Sequence, residues 1–199
     1  FSALILATTY IWLDFAHLAT QDMIFAFLVT SGIYSLAKLS EVKKSLYSLI
    51  FGNWIGLAFF MKTFLITIPL LTLLPYLVFK RKLINIKYIF LGLFIGFLPF
   101  LIWSFSINPY IDKNIIFFLI DKFNTLSVNN TFTNPFYYYI WNIPVNFLPW
   151  SIFSLIGIIY QFKNSKQINY LLVYFPILFV FILSLFSTKT PYYSLPIAS

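Results

Sequence analysis

The stretch SLYSLIFGNWIGLAFFMKTFLITIPLLTLLPYLVF, residues 45–79, decides the fold, and Lys62 is its single charged residue. As one α-helix, its 35 residues would extend about 52 Å. The hydrocarbon core of a bilayer is only about 30 Å thick, so the stretch is too long for one crossing. We therefore predict a hairpin of two short transmembrane helices that turns at FMKTF, with Lys62 at its tip.

Basic residues on both sides of this stretch support the hairpin. The segment 38–44 contributes three lysines, and KRK follows at 80–82. A single crossing would put these clusters on opposite faces, whereas a hairpin keeps both on one face, as the positive-inside rule prefers. We predict that this face is cytoplasmic.

The composition of the whole chain is that of an integral membrane protein. Of its 199 residues, 61% are hydrophobic and 9% are charged, whereas a soluble domain carries roughly 25% charged residues. The net charge of +8 comes from short basic clusters between apolar runs, which is typical of topology signals and argues against nucleic acid as a partner. The chain has no cysteine, which excludes disulfides and thiolate metal sites.

We predict an all-α fold, a polytopic transmembrane helical bundle with about seven spans and the start of an eighth. Residues 1–199 are expected to form a single transmembrane domain and to be an internal fragment of a longer chain. The polar segment 107–135 is predicted to carry an interfacial helix, NIIFFLIDKF, on the outer membrane surface. Glycines four residues apart in GLFIG, residues 92–96, predict close helix packing. The predicted spans cover about residues 1–13, 23–37, 45–61, 63–79, 88–106, 136–162 and 168–187.

This topology sorts the charged residues by face. The basic clusters fall on the cytoplasmic face, with Glu41 as their only acid. Every aspartate, His17, Lys62 and Lys189 fall on the outer face. We therefore expect binding or catalytic residues in the short outer loops.

Three of the outer residues also have simple structural interpretations. Asp22 precedes a span and could cap that helix, with Thr20 as a competing cap. His17 could be an ordinary interfacial histidine. Lys62 could extend to water from the hairpin tip. Short helices on either side could instead hold it below the surface, where its charge needs an anion.

Four segments in order carry a family resemblance: HLATQDMIFAFLVTSGIY (17–34), WIGLAFFMKTFLITIPLLTLLPYLV (54–78), NPFYYYIWNIPVNFLPWS (134–151) and STKTPYYSLPIAS (187–199). The chain resembles integral-membrane glycosyltransferases of the protein O-mannosyltransferase type, and more closely their bacterial relatives similar to lipid A aminoarabinose transferase. The resemblance implies a GT-C architecture with the active site at the outer face. It also implies sugar transfer from a polyprenyl-phosphate carrier to a lipid A, protein or glycan acceptor, in a bacterial inner membrane with the site facing the periplasm.

The resemblance implies a catalytic role for Asp22, which matches the aspartate of an RLATxD-like segment. Its carboxylate could accept the proton of an attacking hydroxyl or hold a divalent metal cation through its oxygens. Tyr192 and Tyr193 fall in a KxPxYxxP-like segment and are implied for the substrate cavity, with Tyr192 where histidine is common. The family's first outer loop, which carries a key acidic residue, is expected to precede Phe1.

Cations that bind the donor phosphate are also implied by the resemblance. Lys62 matches the lysine of a TKG-like turn, although residues 63–64 replace the small residues expected there. Lys189 matches the lysine of the KxPxYxxP segment. His17 stands where the family usually has arginine. Cations at these positions would neutralise a departing phosphate.

Two other functions remain open at this point. A multi-pass transporter or lipid flippase usually places ionisable residues in the middle of its spans, along an internal pathway. The charges of this chain are predicted in loops or at helix ends, which favours the transferase. A non-catalytic membrane subunit of a larger complex is the other alternative. Release of sugar from a labelled polyprenyl-phosphate donor separates all three.

Overall fold

The computed structural model describes residues 2–18, 20–40, 43–107, 117, 120–121, 134–164, 170–186 and 188–198. The regular structure in these ranges is helical and includes no β-strand, as the sequence predicts. Short 3-10 helices lie at Lys38–Ser40, Thr63–Ile66, Arg81–Leu83 and Pro191–Ile197, and a π-helical turn at Tyr170–Tyr174. The α-helices are α1 (Ser2–Ala7), α2 (Tyr10–Ala16), α3 (Gln21–Ala37), α4 (Lys44–Lys62), α5 (Thr67–Phe79), α6 (Ile86–Ile107), α7 (Tyr138–Asn146), α8 (Ser151–Asn164) and α9 (Phe175–Leu185).

The predicted hairpin is confirmed by contacts that return to the start of α4. The chain turns at Thr63, between α4 and α5. The hydroxyl of Tyr76, late in α5, donates to the Leu36 carbonyl oxygen at the end of α3, at 3.2 Å. The Asn85 backbone N–H then donates to Ser48 Oγ near the start of α4, at 3.0 Å. One straight helix could not bring these groups together, so α4 and α5 are antiparallel.

The bundle thus has two ends with different charges. We call the end where α3 begins and α4 terminates the Asp22 end. We call the opposite end, where α4 and α6 begin, the basic end, because it contains Lys44 and the segment 80–87. The π-helical turn before α9 also lies toward the basic end, since the Tyr170 hydroxyl donates to the Thr72 carbonyl oxygen at 3.1 Å.

Glycines bring α4 and α6 into backbone contact. A Cβ added to Gly92 would overlap the carbonyl oxygen of Leu49, and one added to Gly96 would overlap that of Asn53. Gly52 on α4 makes the reciprocal approach to α6. The contacts ascend together along both helices, so α4 and α6 run parallel and both begin at the basic end. The packing predicted from GLFIG is confirmed, and small residues at such contacts are typical of membrane helices.

Apolar side chains face outward along the helices, as expected in lipid. On α6, Phe90, Phe94, Ile102 and Phe105 are all largely exposed. By length and composition, the described residues contain two helical stretches able to cross a membrane, or three if the bent pair α7–α8 is one span. The chain is therefore a multi-pass integral membrane protein. The first of the two stretches, Lys44–Phe79, is the hairpin of α4 and α5, and the second is Ile86–Ile107. Gln21–Ala37 and Tyr170–Leu185 are shorter apolar helices.

Two predicted spans are not single straight helices. The first is divided into α1 and α2 at Thr8 and Thr9, whose hydroxyls donate to carbonyl oxygens of the preceding turn and compete with the helix. The span predicted at 136–162 bends by 113° between α7 and α8. Pro149 lies in this bend, and proline both lacks an N–H and disfavours a helical residue before it.

Part of the predicted outer loop lies outside the described residues. This holds for the interfacial helix at 114–123, except for Phe117, Ile120 and Asp121. It also holds for Glu41, which precedes α4 in the sequence. These assignments stay predictions.

Candidate functional site

Asp22 and Lys62 form an ion pair at the Asp22 end. The N-cap of α3 is Thr20, in an extended conformation, so the interpretation of Asp22 as the cap is wrong. Asp22 lies in the first turn, and its Oδ1 is 2.8 Å from the Nζ of Lys62. The Asp22 and Lys62 side chains are only 11% and 19% exposed, so water screens the pair less than it would on the surface.

The turn after Lys62 is strained. Thr63 has φ of 44° and is the one non-glycine residue with positive φ in the part of the chain that the structure describes. This backbone conformation is unfavourable for a β-branched residue, at a cost of about 1–3 kcal/mol. Its N–H donates to the carbonyl oxygen of Phe59, which closes the last turn of α4. The reversal therefore leaves Lys62 at the end of α4, facing the start of α3.

Two tyrosines of the last 3-10 helix complete the site. The Lys62 Nζ lies 5.6 Å from the centre of the Tyr192 ring, within the range of a cation–π interaction. The Tyr192 ring also makes edge-to-face contacts with the rings of Tyr193 and Phe15, at 4.9 and 5.7 Å between ring centres. Burial, together with the neighbouring Tyr192 and the Asp22 charge, raises the pKa of Tyr193 to about 12. The Tyr193 hydroxyl thus stays protonated at neutral pH.

An apolar cluster holds these elements together. Ile11 of α2, Ala26 of α3 and Leu195 of the last 3-10 helix are each 0% exposed and form its centre. Phe15 and Tyr192 pack against it. Side-chain packing therefore joins α2, which carries Phe15, to α3 and the last 3-10 helix, two of the segments that carry the site. We call Asp22, Lys62, Tyr192 and Tyr193 the Asp22 site.

Lys189 is buried, and backbone carbonyl groups surround its ammonium group. Its Nζ donates to the carbonyl oxygens of Asn134, at 3.0 Å, and Phe186. The Asn134 amide donates to the Lys189 carbonyl oxygen at 2.9 Å, and the Tyr139 hydroxyl donates to that of Thr190 at 3.1 Å. Burial lowers the pKa of Lys189. These bonds fix the segment that leads into Tyr192, and phosphate binding by Lys189 stays a prediction.

His17 lies at the end of α2, in the loop that leads to Asp22. Its side chain is exposed, and its Nδ1 lies 3.2 Å from the carbonyl oxygen of Leu13. This position is accessible to a ligand but is held mainly by a local helix-end contact. Its role toward a phosphate also stays a prediction.

The described residues around Asp22 do not by themselves supply the ligands of a divalent metal site. Such ions take about six or more oxygen ligands, which include carboxylates of the protein. Within the described ranges no group of three or more histidine, aspartate or glutamate side chains is close enough to share an ion. The Asp22 carboxylate already pairs with a cation. We therefore assign no step to a metal, and the metal expected from the sequence stays untested.

Several contributing residues were not singled out in the sequence. Asn134 supports Lys189 from 55 residues away. Its signal was the Asn-Pro pair before the run of tyrosines, a dipeptide that marks turns. Phe15 supports Tyr192, and nothing in an apolar helix distinguishes it from other phenylalanines. The strain at Thr63 could be anticipated, because the resembling turn carries a small residue there.

The architecture is shared with a solved membrane protein. The crystal structure of ArnT from Cupriavidus metallidurans bound to undecaprenyl phosphate matches this fold. The match covers 100% of this chain and 38% of the ArnT chain. The TM-score is 0.80 at 18% sequence identity. The fold is thus the polytopic GT-C membrane fold that the resemblance implies.

The family follows from the sequence match. The family model described as dolichyl-phosphate-mannose-protein mannosyltransferase matches residues 1–103, and the chain belongs to this family. The match includes Asp22 and Lys62 and ends before Lys189 and the two tyrosines. An uncharacterized protein of Aquifex aeolicus (strain VF5) is 26% identical over an alignment of 204 positions, which covers 98% of this chain and 39% of that protein. The chain spans about two fifths of the length of these relatives.

Proposed function

We propose that the protein is a membrane glycosyltransferase that moves a sugar from a polyprenyl-phosphate carrier to a lipid, protein or glycan acceptor. The observation that carries this proposal is the ion pair of Asp22 and Lys62 beside Tyr192, at one end of a membrane fold. A donor with an isoprenoid tail keeps its tail in lipid and its phosphate at the boundary. The reaction there needs a carboxylate and a cation, and this pair supplies both.

Each member of the pair has a separate task in the reaction. The donor phosphate attracts Lys62 away from Asp22, which leaves the carboxylate without its partner. Asp22 then accepts the proton of the acceptor hydroxyl as its oxygen attacks the anomeric carbon of the sugar. The bond from that carbon to the phosphate oxygen breaks, and the carrier leaves as polyprenyl phosphate. Lys62 stabilises the negative charge that develops on this leaving group.

The tyrosines provide the surface for the sugar. Aromatic rings offer an apolar face to the C–H groups of a sugar ring, and Tyr192 lies directly beside Lys62. The neutral Tyr193 hydroxyl can donate a hydrogen bond to the sugar or phosphate. Lys189 and His17 would add positive charge at the entrance to the site if the donor reaches them.

We also propose that the Asp22 end faces the periplasm and the basic end the cytoplasm of a bacterial inner membrane. The one-sided distribution of lysine and arginine supports this orientation. Single cysteines introduced as Asp14→Cys and Arg81→Cys, both at exposed positions, test it in intact cells. Only the first should react with an impermeant thiol reagent. Labelling of Arg81→Cys alone would show that the protein has the opposite orientation in the membrane.

Sugar transfer by the intact purified protein tests the function. The assay follows a labelled sugar from a polyprenyl-phosphate donor to acceptors in vesicles. Lys62→Ala should weaken donor binding about 10- to 100-fold, as expected for one charge-assisted hydrogen bond. Lys80→Ala, at the opposite end, is the matched control and should behave as wild type. A transporter would move the donor across the vesicle membrane without releasing sugar, and that result would reject the proposal.

A further inference from the structure

The basic end contains a cavity of about 420 Å³ that the reaction does not use. Lys44, Lys82 and Lys87 line it, with Ser45 and Asn85 between them. All three lysine side chains are exposed, so their ammonium groups can reach a molecule in the cavity. We propose that this cavity binds the headgroup of an anionic phospholipid from the adjacent leaflet.

The backbone around the cavity also favours an anion. Helix α4 begins at Lys44 and α6 at Ile86, and neither has an acidic residue in its first turn. Because the two helices are parallel, the positive ends of both dipoles lie on the same side of the bundle. The Asn85 backbone N–H and side-chain amide donate to the hydroxyls of Ser48 and Ser45, at 3.0 and 3.5 Å. These bonds hold the segment before α6 against α4 and so fix the walls of the cavity.

The apolar surface beside the cavity favours a lipid over free phosphate. Ile86 and Phe90 on α6 are 65% and 67% exposed, and Leu46 on α4 is 47% exposed. They continue from the cavity toward the hydrocarbon region, where acyl chains attached to a bound headgroup would lie. A basic cavity between transmembrane helices is a known way to bind such headgroups. The proposed ligand therefore carries both a phosphate and acyl chains.

Titration of the intact detergent-solubilised protein tests the site. The probes are short-chain phosphatidylglycerol, phosphatidylcholine of the same chain length, and inorganic phosphate, with binding measured by native mass spectrometry and by the shift in melting temperature. Phosphatidylglycerol should bind saturably and raise the melting temperature. Phosphatidylcholine should do neither, and inorganic phosphate should bind far more weakly than phosphatidylglycerol.

Two double variants separate a built site from a diffuse basic surface. Lys82→Gln with Lys87→Gln removes two charges from the cavity and should weaken phosphatidylglycerol binding about 10- to 30-fold. Lys80→Gln with Arg81→Gln removes two charges from exposed residues of the same end, and these residues do not line the cavity. This pair should change phosphatidylglycerol binding less than about threefold. Lys82→Arg with Lys87→Arg keeps the charge and should bind nearly as wild type. Melting temperatures measured without lipid verify that each variant folds. If the double variant Lys82→Gln with Lys87→Gln does not insert into the membrane, the single variant Lys87→Gln replaces it.

Three results would overturn the proposal. Equal losses in the two glutamine pairs would mean that the lysines act only as a diffuse surface charge. Equal affinities for phosphatidylglycerol and inorganic phosphate would mean a phosphate site without lipid recognition. Equal binding of phosphatidylcholine would mean that the apolar surface alone holds the lipid.

Discussion

The two ends of the bundle use positive charge in opposite ways. At the Asp22 end, the Lys62 side chain is 19% exposed, and its ammonium lies 2.8 Å from a carboxylate and close to an aromatic ring. At the basic end, Lys44, Lys82 and Lys87 are exposed around an open cavity. In the proposed function, the Lys62 ammonium of the first arrangement would exchange Asp22 for the donor phosphate. The second attracts anions, and among the described residues no ion pair occupies any of these three lysines. Positive charge alone therefore does not distinguish the two ends of the bundle, whereas the pairing of opposite charges does.

The largest effect is expected from Asp22→Asn in the intact protein. The substitution keeps the shape of the side chain and removes the carboxylate that is proposed to accept the proton. Loss of a general base typically lowers turnover by about 10²–10⁴-fold, or roughly 3–5 kcal/mol of barrier. Steady-state sugar transfer at equal membrane expression measures this. Near-normal turnover would show that the Asp22 carboxylate is not the base of the reaction.

A smaller effect is expected from Gly92→Ala, which acts near the basic end. The added methyl group would overlap the Leu49 carbonyl oxygen and separate α4 from α6. Overpacking of this kind costs about 1–3 kcal/mol of stability. Thermal unfolding in detergent measures it, and phosphatidylglycerol binding should weaken as the helix N-termini separate. Gly157→Ala is the control, because nothing lies near that position, and it should be neutral or stabilise by up to about 1 kcal/mol. Equal behaviour of both variants would exclude the close helix contact.

Thr63→Gly should stabilise the turn next to Lys62 by about 1 kcal/mol, since glycine adopts positive φ without steric cost. The melting temperature of the variant should rise while sugar transfer is retained. Thr67→Gly places the same substitution at the start of α5, in helical backbone, and should lower stability slightly. A lower melting temperature for Thr63→Gly would show that the turn is not strained.

The smallest effect is expected from His17→Arg, which introduces the residue usual in the resembling family. His17 is exposed, and surface changes usually alter free energies by less than about 0.5 kcal/mol, or about twofold. Donor use should therefore stay within about twofold of wild type, or improve if the arginine reaches the phosphate. A much larger loss of donor affinity would give the histidine ring itself a role in binding.

Much of the fold could be predicted from local patterns. The hairpin follows from the length of one apolar stretch and its basic flanks, and the close α4–α6 contact follows from GLFIG. The bend between α7 and α8 was not predicted, because Pro149 lies in a stretch that is apolar on both sides of it. Hydropathy is summed over such a stretch, so it does not detect a change in the direction of the chain within it.

The site could be predicted as a set of residues but not as a geometry. Asp22 and Lys62 were separate candidates on one face, and only the folded hairpin brings them within 2.8 Å. The sequence likewise left the cap of α3 open between Thr20 and Asp22. The carbonyl groups around Lys189 come from residues that carry no signal of their own, because any residue supplies a carbonyl oxygen. Motif comparison uses the identity of side chains, so it does not detect contacts made through the backbone.

The most direct test of the Asp22 site is a double-mutant cycle of Asp22→Asn, Lys62→Gln and the two combined, in the intact protein. Each single variant leaves one partly buried charge without its partner and should lower the melting temperature. The combined variant removes both charges and should recover much of that loss, because the two effects are coupled. Its sugar transfer should nonetheless remain at least about 10²-fold below wild type, since both the base and the phosphate cation are missing. A combined variant that transfers sugar at near wild-type rates would show that the pair is structural only, and would contradict the proposed function of this site.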